Sequence, residues 1–183
     1  IIHDLSGLAS GLRAAVYHPD GTFIATSSDD HGVRIWDNNS GKLLHTLKGH
    51  TGYVNYISFS PSGRLLLSAS NDSTVRVWEI ATGKLLRTIN HHQDLVYMAD
   101  FSQDEKRIVS ASADEKMIIT EMATGNKLAE KEMGGLVLQS RFSKNDQYLL
   151  TIIHPGKAQL FDGTASRLLL QVEDAQNTNM TAV

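Results

Sequence analysis

Residues 49–90 read GHTGYVNYISFSPSGRLLLSASNDSTVRVWEIATGKLLRTIN, and the alternation of apolar runs with turn residues in this stretch decides the fold. Four runs of strand length stand out: Val54–Phe59, Leu65–Ser70, Thr74–Trp78 and Lys84–Ile89. The breaks between them are Pro61-Ser62-Gly63, Asn71-Asp72-Ser73 and Ala81-Thr82-Gly83. These residue types favour tight turns, by preset or left-handed backbone angles or by bonding their own backbone. In the third run Val75 and Val77 share one face while Arg76 and Trp78 share the other, the period of two that a strand imposes. Four short strands joined by tight turns make an antiparallel meander. One such sheet cannot bury both of its faces, so it requires neighbours.

The same chain supplies them. A shift of 42 residues superposes Ser27-Ser28-Asp29-Asp30 and Val33-Arg34-Ile35-Trp36-Asp37 on Ala69-Ser70-Asn71-Asp72 and Val75-Arg76-Val77-Trp78-Glu79. A second shift of 42 reaches Ala111-Ser112-Ala113-Asp114 and Met117-Ile118-Ile119-Thr120-Glu121, and a shift of 41 reaches Ala158-Gln159-Leu160-Phe161-Asp162. Tyr17, Phe59, Phe101 and Phe142 each precede the Trp36/Trp78/Thr120/Phe161 position by 19 residues. A period in the low forties with four strands per unit is the signature of β-propeller blades. The expected fold is all-β, about four blades of a larger propeller, with repeats near 8–49, 50–91, 92–134 and 135–175. Both ends fall inside repeats. Ile1–Gly7 aligns with the outer strand Leu43–Gly49, and Asn179–Val183 with the opening of an inner strand. The whole of 1–183 is therefore expected to be one partial propeller, able to self-associate through open blade faces.

The Gly49-His50 pair, the turn Ser68-Ala69-Ser70-Asn71-Asp72 and the ending Val75-Arg76-Val77-Trp78-Glu79 resemble a WD repeat. The resemblance covers nearly the whole chain, with one clean repeat and three degenerate ones. It implies a non-catalytic protein-interaction scaffold. The repeat idiom (Ser-Pro-Ser-Gly-Arg-Leu-Leu-Leu-Ser-Ala-Ser, Ala-Thr-Gly-Lys-Leu-Leu) is similar to bacterial WD-repeat proteins, in which the propeller often accompanies a signalling domain.

The resemblance also implies a buried network joining a strand Trp, a strand Ser or Thr, a turn Asp and the His of the Gly-His pair. Repeat two matches fully, with His50, Ser68, Asp72 and Trp78. Repeat one has Thr26, Asp30 and Trp36 but Leu8 in the His position, and repeat three has His92, Ser110 and Asp114 with Thr120 in the Trp position. Repeat four keeps only Thr151, with Phe161 in the Trp position. A Ser-His-Asp trio also invites a nucleophilic reading. A catalytic trio occurs once, however, and this one recurs at a fixed offset. In similar proteins partners dock on the narrower face around the channel. The corresponding positions here are Gly11, Arg13 and Asp29, then Tyr53, Asn55 and Asn71, then Leu95, Tyr97 and Ala113. Two exposed tyrosines beside an Arg would suit an interaction hot spot. Arg34, Arg76, Lys42 and Lys84 recur at equivalent positions and are expected to be solvated strand edges.

Composition narrows the alternatives. The net charge is −3 over 183 residues with a pI near 6.2, so no basic field points to nucleic acid. There is no cysteine, hence no disulfide and no thiolate metal site. The apolar runs are too short to span a bilayer, so no membrane partner is expected. His91-His92 is adjacent and points its rings apart in extended chain, so no metal site is expected. No phosphate-binding loop is present, and no cofactor is expected. The chain begins with Ile1, so targeting is not legible, and the cytoplasm is the default expectation. The competing readings are a propeller hydrolase or lactonase using residues such as His18 and His154, and a set of purely structural spacer blades.

Overall fold

The computed structural model describes residues 11–174, and every regular element among them is a β-strand. The readings made above for Ile1–Gly7, Leu8 and Asn179–Val183 lie outside the described residues. The first blade comprises β1 (Leu12–Tyr17), β2 (Phe23–Ser28), β3 (Val33–Asp37) and β4 (Leu43–Leu47). The second comprises β5 (Val54–Phe59), β6 (Leu65–Ser70), β7 (Val75–Glu79) and β8 (Leu85–Ile89). The third comprises β9 (Val96–Phe101), β10 (Arg107–Ser112), β11 (Lys116–Glu121) and β12 (Lys127–Glu132). The fourth comprises β13 (Leu136–Phe142), β14 (Tyr148–His154), β15 (Lys157–Asp162) and β16 (Leu168–Glu173). Each set of four is an antiparallel sheet in chain order. β7 begins one residue later than the apolar pattern suggests. Thr74 is instead held in the turn, its N–H and its hydroxyl both donating to Asp72 Oδ1, at 3.1 and 2.6 Å.

The core lies between blades and not within them. Ala25, Val33 and Ile35 of the first blade pack with Val54, Ile57, Leu66 and Trp78 of the second. Leu67, Ala69, Val75 and Val77 of the second pack with Val96, Ala99, Phe101 and Ile108 of the third. Val109, Ala111, Met117 and Ile119 of the third pack with Val137, Leu149, Ile153 and Phe161 of the fourth. With a blade on either side, β6 is buried at all six positions, which is why Leu65-Leu66-Leu67 runs continuously apolar. On the fourth blade the outer face remains open. Leu150 and Ile152 are 49% and 39% exposed, whereas their second-blade counterparts Leu67 and Ala69 are fully buried. Leu170 and Val172 of β16 and Tyr148 of β14 are also exposed.

The hairpins between the first and second strands share one left-handed position, filled by Gly21, Gly63, Glu105 and Asp146, with φ of 78°, 75°, 58° and 58°. Glycine adopts this conformation freely, and a side chain there costs energy. The third and fourth hairpins, which lack glycine, offset that cost by reaching back to the preceding blade. Ser62 N–H donates to Glu105 Oε1 at 2.5 Å, and the N–H groups of Gln103 and Asp104 donate to the Asp146 carboxylate at 2.7 and 2.9 Å. At Gly63 no such side chain fits, because a Cβ would lie 2.1 Å from His18 Nε2.

Candidate partner-binding rim and the buried ties beneath it

The strands place the predicted network as a chain of short contacts under the turn that joins the second and third strands of each blade. In the second blade Trp78 Nε1 donates to Ser68 Oγ at 2.8 Å, Ser68 Oγ bonds His50 Nε2 at 2.7 Å, and His50 Nδ1 bonds Asp72 Oδ2 at 2.8 Å. Asp72 also accepts the N–H of Thr51 at 3.0 Å, tying the entry loop to the turn. Burial pushes the Asp72 carboxyl up, but the bonds from His50, Thr74 and Thr51 outweigh it and hold the group well below the usual carboxylate range. Ser68 is fully buried with its oxygen shared between Trp78 and His50, so this trio offers no nucleophile to a substrate. Gly49 precedes the histidine at a φ of 153°, which favours glycine, and the Arg76 guanidinium packs against it.

The degenerate blades solve the same problem with fewer parts. In the third, His92 bonds Ser110 Oγ at 2.8 Å and Asp114 at 2.9 Å, while Thr120 replaces the Trp and leaves its buried Oγ1 without a partner. Burial pushes the His92 imidazole down, more than Asp114 raises it. In the first, Trp36 Nε1 donates to Thr26 Oγ1 at 2.8 Å, and Asp30 is held by Arg34 and by Ser28 Oγ. The Arg34 guanidinium beside Asp30 is the main cause of a carboxyl well below its ordinary range. The expectation of solvated strand edges therefore fails for Arg34 and Arg76. Both are half-buried, one paired to a turn aspartate and the other packed on Gly49, whereas Lys42 and Lys84 are exposed. In the fourth, Thr151 Oγ1 bonds Ser140 Oγ at 3.1 Å.

Above these ties the expected rim positions come together blade by blade. The N–H groups of Asp29, Asn71 and Ala113 donate to the carbonyls of Gly11, Tyr53 and Leu95 at 2.9, 2.8 and 2.9 Å. Each inner strand carries a register shift at its rim end, and the extra residues are Arg13, Asn55, Tyr97 and Leu138. A bulge inserts one unpaired residue and re-aims its side chain. Three of the four bulged residues are thus positions the sequence reading expected to meet a partner, and Leu138, which is 37% exposed, holds the equivalent place on the fourth blade, outside that expectation. Arg13 Nε donates to Asp29 Oδ1 at 2.5 Å, and its guanidinium lies 4.0 Å from the Tyr53 ring centroid. His31 meets the Tyr53 ring edge-on at 5.4 Å, and Asn55 Nδ2 donates to Asn71 Oδ1 at 2.6 Å. Tyr53 is exposed, but Tyr97 is half-buried, so the pair of exposed tyrosines is reduced to one. Tyr97 sits two blades away from Arg13, and no contact between them brings the second ring to the cation. His31 takes the left-handed turn position, φ 66°, that Ser73 and Glu115 fill in the next two blades, and the repeat offset that aligns the three is its signal in the sequence.

Below the rim, Arg141 of β13 donates to the Tyr56 hydroxyl of β5 at 2.6 Å, linking the second and fourth blades. His18, offered above as a possible catalytic base, has both ring nitrogens engaged, by Asp20 at 2.5 Å and the Gly63 carbonyl at 3.0 Å. Among the described residues no group of three or more His, Asp or Glu side chains is placed to hold a metal ion.

Residues 1–37, 41–79 and 83–119 match the family described as WD domain, G-beta repeat. This chain belongs to the WD40 repeat family. The chain is 40% identical over 58 residues to the "Nuclear distribution protein PAC1" of Scheffersomyces stipitis, covering 28% of this chain and 11% of that protein. It is 48% identical over 49 residues to the protein of that name from Arthroderma benhamiae, covering 27% of this chain and 11% of that protein. It is 41% identical over 39 residues to the "General transcriptional corepressor TUP1" of Saccharomyces cerevisiae, covering 21% of this chain and 6% of that protein. The aligned stretches thus span about a tenth or less of these WD40 relatives.

Proposed function

We propose that this WD40 chain is a non-catalytic scaffold that docks a protein or peptide on its rim, centred on Arg13, Asp29, His31 and Tyr53. Asn55 and Asn71 extend the surface, and Leu95, Tyr97 and Leu138 continue it on the next two blades. The observation that carries this reading is the repeated bulge. At the same point of four successive inner strands one residue is freed from the sheet ladder, and Arg13 and Leu138 among them are exposed while Asn55 and Tyr97 are half-buried. Below it the buried Asp and His ties hold the loops, so the exposed groups are presented on a rigid frame. Arg13 stacked on an exposed Tyr combines the residue types that dominate interface energetics. The names of the PAC1 and TUP1 relatives describe distribution and corepression, which fits a scaffold. The open apolar face of the fourth blade supports a further reading, that another blade or a second copy of the chain covers it.

The test is recovery of partners from lysate on the immobilised chain, with Arg13→Ala and Tyr53→Ala beside the parent. Loss of roughly tenfold or more in the amount of a reproducibly captured protein, with circular dichroism unchanged, is the expected outcome. Capture unaffected by both substitutions would remove the rim as the docking surface and leave the blades as spacers.

A further inference from the structure

At the strand ends opposite the rim, a groove of about 490 Å³ opens between the first two blades. Phe23, Ile35, Leu44 and Ile80 give it an apolar lining, and His45 and Glu79 border it. Leu44 is the extra residue of a register shift in β4 and is 40% exposed.

The next junction shows what such a groove accommodates. There the chain's own Arg87, on β8, crosses to the third blade and donates to Thr124 O at 2.6 Å and Ala123 O at 2.5 Å. It lies over Gly125, beside a turn in which Thr124 Oγ1 donates to Glu121 Oε2. One repeat earlier the receiving elements are all present. Ala81 and Thr82 stand where Ala123 and Thr124 stand, and Thr82 Oγ1 donates to Glu79 Oε2 at 2.5 Å as Thr124 does to Glu121. The donor is missing: His45 takes the place of Arg87 and lies over Gly83, with Nδ1 3.0 Å from the position of a Cβ there. Gly63 takes the place of Glu105, so the second bridge is missing too. The nearby cation Arg64 is 79% exposed, and its nearest carboxylate is Glu105, at 3.9 Å on the third-blade side.

We infer that this groove binds an arginine side chain of a partner peptide. Its aliphatic stem lies on Leu44 and Phe23, and its guanidinium donates to the carbonyl oxygens of Ala81 and Thr82 beside the Glu79 carboxylate. The partner supplies in trans the group that Arg87 supplies within the chain. Two carbonyls side by side match the planar fork of arginine better than the point charge of lysine. This inference rests on the protein-binding reading but not on the rim, and its test uses neither a rim residue nor a natural partner.

The test is a titration of the ¹⁵N-labelled full chain with the peptide acetyl-Leu-Arg-Leu-amide, and with its Gln analogue, followed by NMR. The Arg peptide is expected to shift the amides of Leu44, His45 and Ala81 to Gly83, and to bind at least severalfold tighter than the Gln peptide. Glu79→Gln is expected to weaken it about two- to fivefold, the size of a solvent-accessible ion pair. His45→Arg installs the internal strap of the second junction and is expected to abolish these shifts with the fold intact. No binding, equal binding of the Gln peptide, shifts located elsewhere, or unchanged binding by the His45→Arg chain would each overturn the inference.

Discussion

Ser68→Ala removes one oxygen and with it two buried contacts. The Asp72 carboxylate beside His50 Nδ1 places the ring proton on that nitrogen, so Nε2 accepts from the Ser68 hydroxyl while the hydroxyl oxygen accepts from Trp78 Nε1. Alanine leaves a buried indole N–H and a buried imidazole nitrogen without partners, at about 1–3 kcal/mol each. The expected loss is about 2–5 kcal/mol. Ser110→Ala is the internal control. Its oxygen bonds His92 in the same way, but Thr120 stands where the Trp would be, so one buried partner is orphaned and about 1–3 kcal/mol is lost. The assay is urea unfolding followed by tryptophan fluorescence, with far-ultraviolet circular dichroism to establish a common transition. With a slope of about 2 kcal/mol per molar urea, Ser68→Ala should lower the midpoint by about 1–2.5 M, and Ser110→Ala by roughly half as much. Trp78→Phe combined with Ser68→Ala should cost less than the sum of the single changes, since both break the same bond. Equal losses for the two serines, or additivity in that pair, would refute the hub role of Ser68.

Further outcomes follow from the same contacts. Stability is expected to fall on acidification. The His92 imidazole titrates lower in the folded chain than its ordinary 6.5, so the unfolded chain binds more protons as the pH drops through that value. Asp72 and Asp114, both held below the ordinary 3.8, add a second loss below that pH; urea midpoints that rise between pH values of about 7.5 and 5 would contradict this. Thr120→Val replaces a buried hydroxyl without a partner by a methyl of similar shape, and should raise stability by about 1 kcal/mol in the same urea assay. Leu150→Lys with Leu170→Lys places charge on the open face of the fourth blade. Any dimer or larger species of the parent chain seen by light scattering should then shift to monomer, and an unchanged mass distribution of an associating parent would exclude that face.

The sequence by itself determined the blades. Period-two alternation, turn residues at fixed offsets and the 42-residue repeat are local or translational signals, and the structure follows them within a residue at most strand ends. The buried network was also legible, through the resemblance of His50, Ser68, Asp72 and Trp78 to a WD repeat, which implies the contacts among them. Tertiary structure decided what depends on which blade faces which. Arg34 and Arg76 read as surface charges, yet they are half-buried because the neighbouring turn and Gly49 lie against them. Glu105 and Asp146 look like poor turn residues until the preceding blade offers them backbone N–H groups, a contact over about 42 residues that no local pattern encodes. The bulges at Arg13, Asn55, Tyr97 and Leu138 arise from the pairing register between strands, and one strand's sequence does not specify it. At the groove between the first two blades a histidine and a glycine stand where an arginine and a glutamate bridge the next junction. That difference is written in the sequence, but only the packing of blade on blade gives it a meaning.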